Sequence, residues 1–87
     1  MPNDQARQEI FTIHTSQMSI TKFNFEKIIK MMDGFSGAEI QAAATEAGYF
    51  AIRNDRTKVK EEDFYAAIAK IKTDSYEKEQ EYKNMFG

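Results

Sequence analysis

One helix ends and another begins within Asp33-Gly34-Phe35-Ser36-Gly37-Ala38-Glu39-Ile40. Glycine at position 34 can adopt the positive φ that stops a helix, so this residue predicts a helix end. Ser36 followed three residues later by Glu39 forms a capping box, in which each side chain accepts the backbone N–H of the other residue. We therefore expect the rest of the chain to pack around this junction.

An alanine-rich helix follows, which the sequence predicts from Ser36 to about Asn54. Alanine favours the helix, and small side chains let neighbouring helices approach closely, so we expect this helix to be the longest and the centre of a bundle. Apolar residues at helical spacing predict three more helices. These run from Asn3 or Asp4 to about Ser16, from about Asn24 to Met32, and from about Glu61 to 72. The predicted fold class is therefore all-α, with four helices.

The apolar stripe stops at Ile71, and the sequence becomes charged from Thr73 onward. A charged segment without a stripe predicts a mobile or weakly helical tail. We therefore divide the chain into a helical domain at 1–72 and a flexible tail at 73–87. The tail ends in the apolar pair Met85-Phe86, followed by Gly87.

Composition excludes several function classes. The 87 residues contain no cysteine and one histidine, which leaves no disulfide framework, no cysteine zinc site and no histidine cluster. The net charge of −2 supplies no basic field for nucleic acid, and no apolar run is long enough to span a bilayer. The four glycines form no phosphate-binding loop. We expect a cytoplasmic domain with no metal, no nucleic-acid or membrane partner, and no catalytic residues of its own.

Five segments together resemble one family, the C-terminal helical lid domain of proteasomal AAA+ ATPases. The resemblance is to the archaeal proteasome-activating nucleotidase and the regulatory ATPase subunits of the 26S proteasome, and it covers nearly the whole chain. The segments lie in the family's order and spacing. They are Arg7-Gln-Glu-Ile-Phe-Thr-Ile-His14-Thr15, Gly34-Phe-Ser-Gly37-Ala38-Glu-Ile40, Thr45-Glu-Ala-Gly48, Ala51-Ile-Arg53, and Val59 with Asp63-Phe64.

The resemblance implies a lid beside a nucleotide that a larger domain holds, so ATP or ADP is the implied cofactor of the parent protein. It also implies that Ile10, His14, Gly37 and Ala38 line the adenine and ribose side of the pocket. Their chemistry agrees, because Gly37 and Ala38 leave room for a planar base at a helix start. Ile10 offers apolar contact and His14 a hydrogen bond. From the residues alone, His14 also fits a half-buried helix histidine with a local hydrogen bond, and Gly37 a simple capping glycine.

In this family the last three residues are a hydrophobic residue, a tyrosine and any residue, and they dock between α-subunits of the 20S proteasome. The matching residues are Met85, Phe86 and Gly87, which keep the aromatic ring and the terminal carboxylate but lack the tyrosine hydroxyl. The implied partners are the 20S α-ring and neighbouring ATPase subunits in a hexameric ring. We expect the isolated fragment to be a non-catalytic monomer.

Two alternatives share parts of the pattern. The lid of a p97-like unfoldase has the same Gly37-Ala38 and His14 features, whereas a histone-fold-like interaction module would be an obligate dimer. Arg53 and Arg56 also allow three interpretations. They contact a neighbouring subunit's nucleotide, lie at a solvated helix end, or form an ion pair with Asp55 or Glu46.

Overall fold

The computed structural model describes the backbone of residues 2–86 and the side chains of residues 2–75. Four helices follow one another along the chain. They are α1 (Asp4–Thr15), α2 (Phe25–Met31), α3 (Gly37–Arg53) and α4 (Glu61–Phe86). The all-α prediction with four helices is confirmed.

Polar N-caps set the starts of the first three helices. The caps are Asn3, Asn24 and Ser36. Each cap side chain accepts the N–H three residues later, over 2.9 to 3.2 Å. Glu39 completes the predicted capping box by accepting the Ser36 N–H at 2.9 Å, and Gly34 has the predicted positive φ of +83°. The junction between α2 and α3 therefore forms as its sequence predicts.

Helix α3 is central, since it packs against both α1 and α4. It runs antiparallel to α4, because Glu46 of α3 pairs with Lys70 while Glu39, earlier in α3, contacts Ser75, later in α4. The longest helix is α4, with 26 residues, and not α3, with 17. The prediction that α3 is the longest helix is therefore wrong, while its small residues pack in the core as expected.

A cluster of phenylalanine rings joins the helices. Phe11 of α1 lies 5.3 Å from Phe64 of α4 and 5.8 Å from Phe25 of α2, measured between ring centroids. Phe23, in the loop before α2, lies 5.1 Å from Phe64. The buried apolar residues around this cluster form one core. They are Phe11, Ile28, Ile29, Met32, Phe35, Ile40, Ala43, Ala44, Ala47, Ala51, Val59, Phe64, Ala67, Ile68 and Ile71.

The loop before α2 is tied to the segment before α4 by a short parallel bridge between Ile20 and Val59. The Val59 N–H donates to the Ser19 carbonyl, and the Val59 carbonyl accepts the Thr21 N–H, both at 2.9 Å. These bonds satisfy backbone groups in two connecting segments and bring Val59 into the core.

The fourth helix does not end near 72. Its backbone stays helical to Phe86, so the segment predicted as a tail continues α4. Residues 77–83 are Glu, Lys, Gln and Tyr, without Gly or Pro, so intrinsic propensity favours helix even where no apolar stripe remains. The boundary between a domain at 1–72 and a flexible tail at 73–87 stays a prediction.

Candidate functional site

The start of α3 lies directly against α1. A Cβ added at Gly37 would lie 3.7 Å from Cδ1 of Ile10, so the isoleucine side chain packs over the glycine. Both residues are half-buried. Two of the four residues that the resemblance assigns to the nucleotide, 27 positions apart in sequence, are thus neighbours in the structure.

The first turn of α3 has backbone donors available. The capping box uses the N–H groups of Ser36 and Glu39, and Ile40 is the first residue to donate to a carbonyl one turn back, that of Ser36. The N–H groups of Gly37 and Ala38 come before that first intrahelical bond. A helix start of this kind favours a partner with acceptor atoms or negative charge.

His14 and Ala38 lie around this pair. His14 follows Ile10 by one helical turn, shares its face of α1 and is half-buried. Ala38 is exposed and borders a different surface, a groove of about 540 Å³ between α3 and α4. Ile10 and Gly37 therefore form the centre of the candidate site, with His14 on one side and Ala38 on the groove side.

A buried arginine connects the helices that position the site. Arg7 is 4% exposed, and it donates to the carbonyls of Pro2 at 3.1 Å and Ile29 at 3.3 Å. It also pairs with Asp4 and, at 3.3 Å, with Asp33. The side chain thereby ties the beginning of α1 to the α2 end of the junction that leads to Gly37. This role of Arg7 was not predicted, although Asp4, three residues earlier on the same helix, is a sequence signal for an ion pair.

Arg56 forms an ion pair within the chain. Its guanidinium donates to both carboxylate oxygens of Asp63, at 2.5 and 2.8 Å, so the predicted pairing with Asp55 or Glu46 is wrong. Glu46 pairs with Lys70 instead. Arg53 is exposed, and its guanidinium carbon lies 5.2 Å from the centre of the Phe50 ring. The bidentate pair holds the pKa of Asp63 below its ordinary value and raises that of Arg56.

Met85, Phe86 and Gly87 lie outside the residues whose side chains the structure describes. Within the described part, no three His, Cys, Asp or Glu side chains are grouped to hold a metal ion. None of the described helices is long and apolar enough to cross a membrane.

Comparison with known proteins defines the class. The family model of the AAA+ lid domain matches residues 22–66, just over half of the chain. The chain belongs to the AAA+ lid domain family.

The relatives that the chain matches include 26S proteasome subunits and a proteasome-activating nucleotidase. The chain is 49% identical over 72 residues to 26S proteasome subunit RPT4 of Saccharomyces cerevisiae, which covers 82% of the chain and 16% of that protein. It is 44% identical over 88 residues to the proteasome-activating nucleotidase of Methanothermobacter thermautotrophicus, covering 100% of the chain and 21% of that protein. A 26S proteasome regulatory subunit 8 homolog of Naegleria fowleri is 43% identical over 86 residues, covering 98% of the chain and 21% of that protein. The chain thus spans about a fifth of the relatives that it matches, and the resemblance to this branch is confirmed.

Proposed function

We propose that this chain is the lid of a proteasome-activating ATPase that unfolds proteins and moves them into the 20S proteasome. In that role the lid closes over ATP or ADP, passes the nucleotide state to the next subunit of a hexameric ring, and docks on the 20S α-ring through Met85, Phe86 and Gly87. The isolated chain hydrolyses no ATP, because the proposed nucleotide residues offer contact and no catalytic group.

One observation supports the nucleotide role most directly. Ile10 packs over Gly37 at the point where α3 presents its first N–H groups. An apolar side chain beside free backbone donors suits a base and a ribose, which have a flat apolar face and polar edges. Relatives named as a proteasome-activating nucleotidase and as 26S proteasome subunits support the same role.

A chimaera tests the proposal without the rest of the parent protein. The 87 residues replace the segment that matches them in the Methanothermobacter proteasome-activating nucleotidase, an alignment that covers the whole chain. We expect the chimaera to hydrolyse ATP and to stimulate peptide hydrolysis by archaeal 20S particles. A well-folded chimaera without ATPase activity would contradict the lid role.

Deletion of Phe86 and Gly87 from the chimaera separates docking from nucleotide hydrolysis. The aromatic ring and the terminal carboxylate are the groups expected to enter a 20S pocket, so the deletion should abolish 20S stimulation and leave basal ATPase activity in place. As a control, replacement of Phe86 by Tyr restores the hydroxyl of the family pattern and should keep stimulation. Unchanged stimulation after the deletion would show that the tail does not dock.

A further inference from the structure

A hydrogen bond between distant parts of the chain ends on the capping box of α3. The Ser75 hydroxyl donates to Oε2 of Glu39 at 2.9 Å, across 36 positions of sequence. The other carboxylate oxygen, Oε1, accepts the Ser36 N–H, also at 2.9 Å. One carboxylate therefore joins the start of α3 to α4, beyond the point where the apolar stripe of α4 ends.

This link differs in kind from the other contacts between α3 and α4. Among the residues whose side chains the structure describes, Ile71 is the last core residue of α4, and Lys70 pairs with Glu46 before it. Ser75 lies one turn further on, bordering the groove beside Ala38. The contact thus holds α4 one turn beyond Ile71, and it does so from a residue of the capping box of α3.

We propose that Glu39 and Ser75 are positioning residues that couple the start of α3 to the distal half of α4. The coupling rests on the proposed function, in which nucleotide meets the start of α3 and the docking residues lie at the end of α4. A change at either end alters the geometry of the shared carboxylate. Because linkage is reciprocal, docking at the end of α4 then changes nucleotide affinity, and nucleotide changes docking.

The substitution Ser75→Ala removes this hydrogen bond from the 87-residue chain and so tests its effect. Alanine favours the helix more than serine does, so Ser75→Ala should not fray α4 through propensity. We expect it to accelerate hydrogen exchange of the Ser36 amide by about three- to tenfold, because the carboxylate that holds this N–H loses its bond to the Ser75 hydroxyl. Ser75→Thr keeps the hydroxyl and should restore the original rate.

Thr73→Ala is the matched control, since the exposed Thr73 hydroxyl donates at 2.9 Å to the Ala69 carbonyl of its own helix. It should leave the Ser36 amide unchanged. The proposal is overturned if Ser75→Ala leaves exchange at Ser36 unaltered, if Thr73→Ala accelerates it equally, or if threonine at 75 does not restore it. None of these measurements involves nucleotide or proteasome, so their failure would leave the proposed function standing.

The coupling itself is measured in the chimaera, as the ratio of affinities for a non-hydrolysable ATP analogue with and without 20S particles. Ser75→Ala should move this ratio toward one, and Thr73→Ala should not. An unchanged ratio in Ser75→Ala would remove the coupling role even if the exchange data support the bond. An unsubstituted chimaera that binds no analogue would contradict the proposed function instead.

Discussion

Asp63 is a buried carboxylate that two segments of chain hold in place. It is 3% exposed, accepts two hydrogen bonds from Arg56, and also accepts the Lys60 N–H at 2.8 Å. The arginine follows α3, while Lys60 and Asp63 lie at the start of α4. The ion pair therefore fixes the turn between the two helices that pack most closely.

Replacement of Asp63 by Asn should lower the free energy of unfolding by about 1–3 kcal/mol. The amide oxygen can take the place of Oδ2, but the amide nitrogen cannot accept the Arg56 bond made at Oδ1, and the neutral side chain cannot balance the guanidinium charge. Glu62→Gln is the control, since Glu62 is 68% exposed and lies 3.8 Å from Arg56. Its effect should stay within about 0.5 kcal/mol. Urea unfolding at pH 7 measures both, and equal effects would show that the bidentate geometry is unimportant.

The same pair predicts the response to acid. The pKa of Asp63 is lowered by the hydrogen bonds from Arg56 and Lys60, and that of Glu61 by the hydroxyl of Tyr65 and the N–H of Asn24. Carboxylates with a lowered pKa stabilise the fold above their unfolded pKa of about 4, and this contribution is lost as pH falls through the folded pKa. Unfolding free energy should therefore fall below about pH 4, and less steeply in Asp63→Asn.

At the scale of elements, the ends of helices show what sequence can predict. Caps act within a few residues, so Gly34 and Ser36 predicted the end of α2 and the start of α3, whereas the start of α2 was predicted from apolar spacing. The proximity of Ile10 to Gly37 could not be predicted from sequence spacing, and only the family resemblance placed the two residues in one site.

The Glu39–Ser75 and Arg56–Asp63 bonds depend on how α4 packs, which no local sequence pattern encodes. The end of α4 was predicted near 72 because the apolar stripe ends there, whereas helix propensity persists beyond it.

Among the described residues, Asp55, just after α3, is the one non-glycine residue with a positive φ. Asp55 has a φ of +56°, and Schellman-type bonds connect its N–H to the Ile52 carbonyl and the Arg56 N–H to the Ala51 carbonyl, both at 3.0 Å. Left-handed backbone costs a non-glycine residue about 1–2 kcal/mol. The helix therefore ends with local strain.

Asp55→Gly should raise the free energy of unfolding by about 0.5–1 kcal/mol, because the relieved strain exceeds the extra entropy that glycine loses on folding. Asn54→Gly is the matched control. Asn54 has a φ of −97°, which needs no glycine, and its side chain donates to the Phe50 carbonyl at 2.8 Å, so this change should destabilise. Urea unfolding compares the two, and destabilisation by Asp55→Gly would contradict the assignment of strain to this residue.

At the scale of the whole molecule, the core and the candidate site are formed by different contacts between the same helices. The phenylalanine cluster holds α1, α2 and α4 together, while the outer side of the α1–α3 contact places Ile10 over Gly37. Gly37 is at the edge of the core, so replacing it with a residue that has a small side chain should affect folding little. The nucleotide role can therefore be tested without unfolding the lid.

The most direct test is the ATP dependence of hydrolysis by the chimaera with Gly37→Val. A Cβ at 37 meets Ile10 at an ordinary contact distance, so the lid should fold nearly normally, while the added methyl groups occupy the space proposed for the base. Gly48→Val is the control, since a Cβ at Gly48 meets only the flexible end of Met18, also at 3.7 Å. We predict that Gly37→Val raises the KM for ATP by about tenfold or more and that Gly48→Val does not. Normal ATPase kinetics in Gly37→Val would contradict the account and reduce the start of α3 to a structural helix cap.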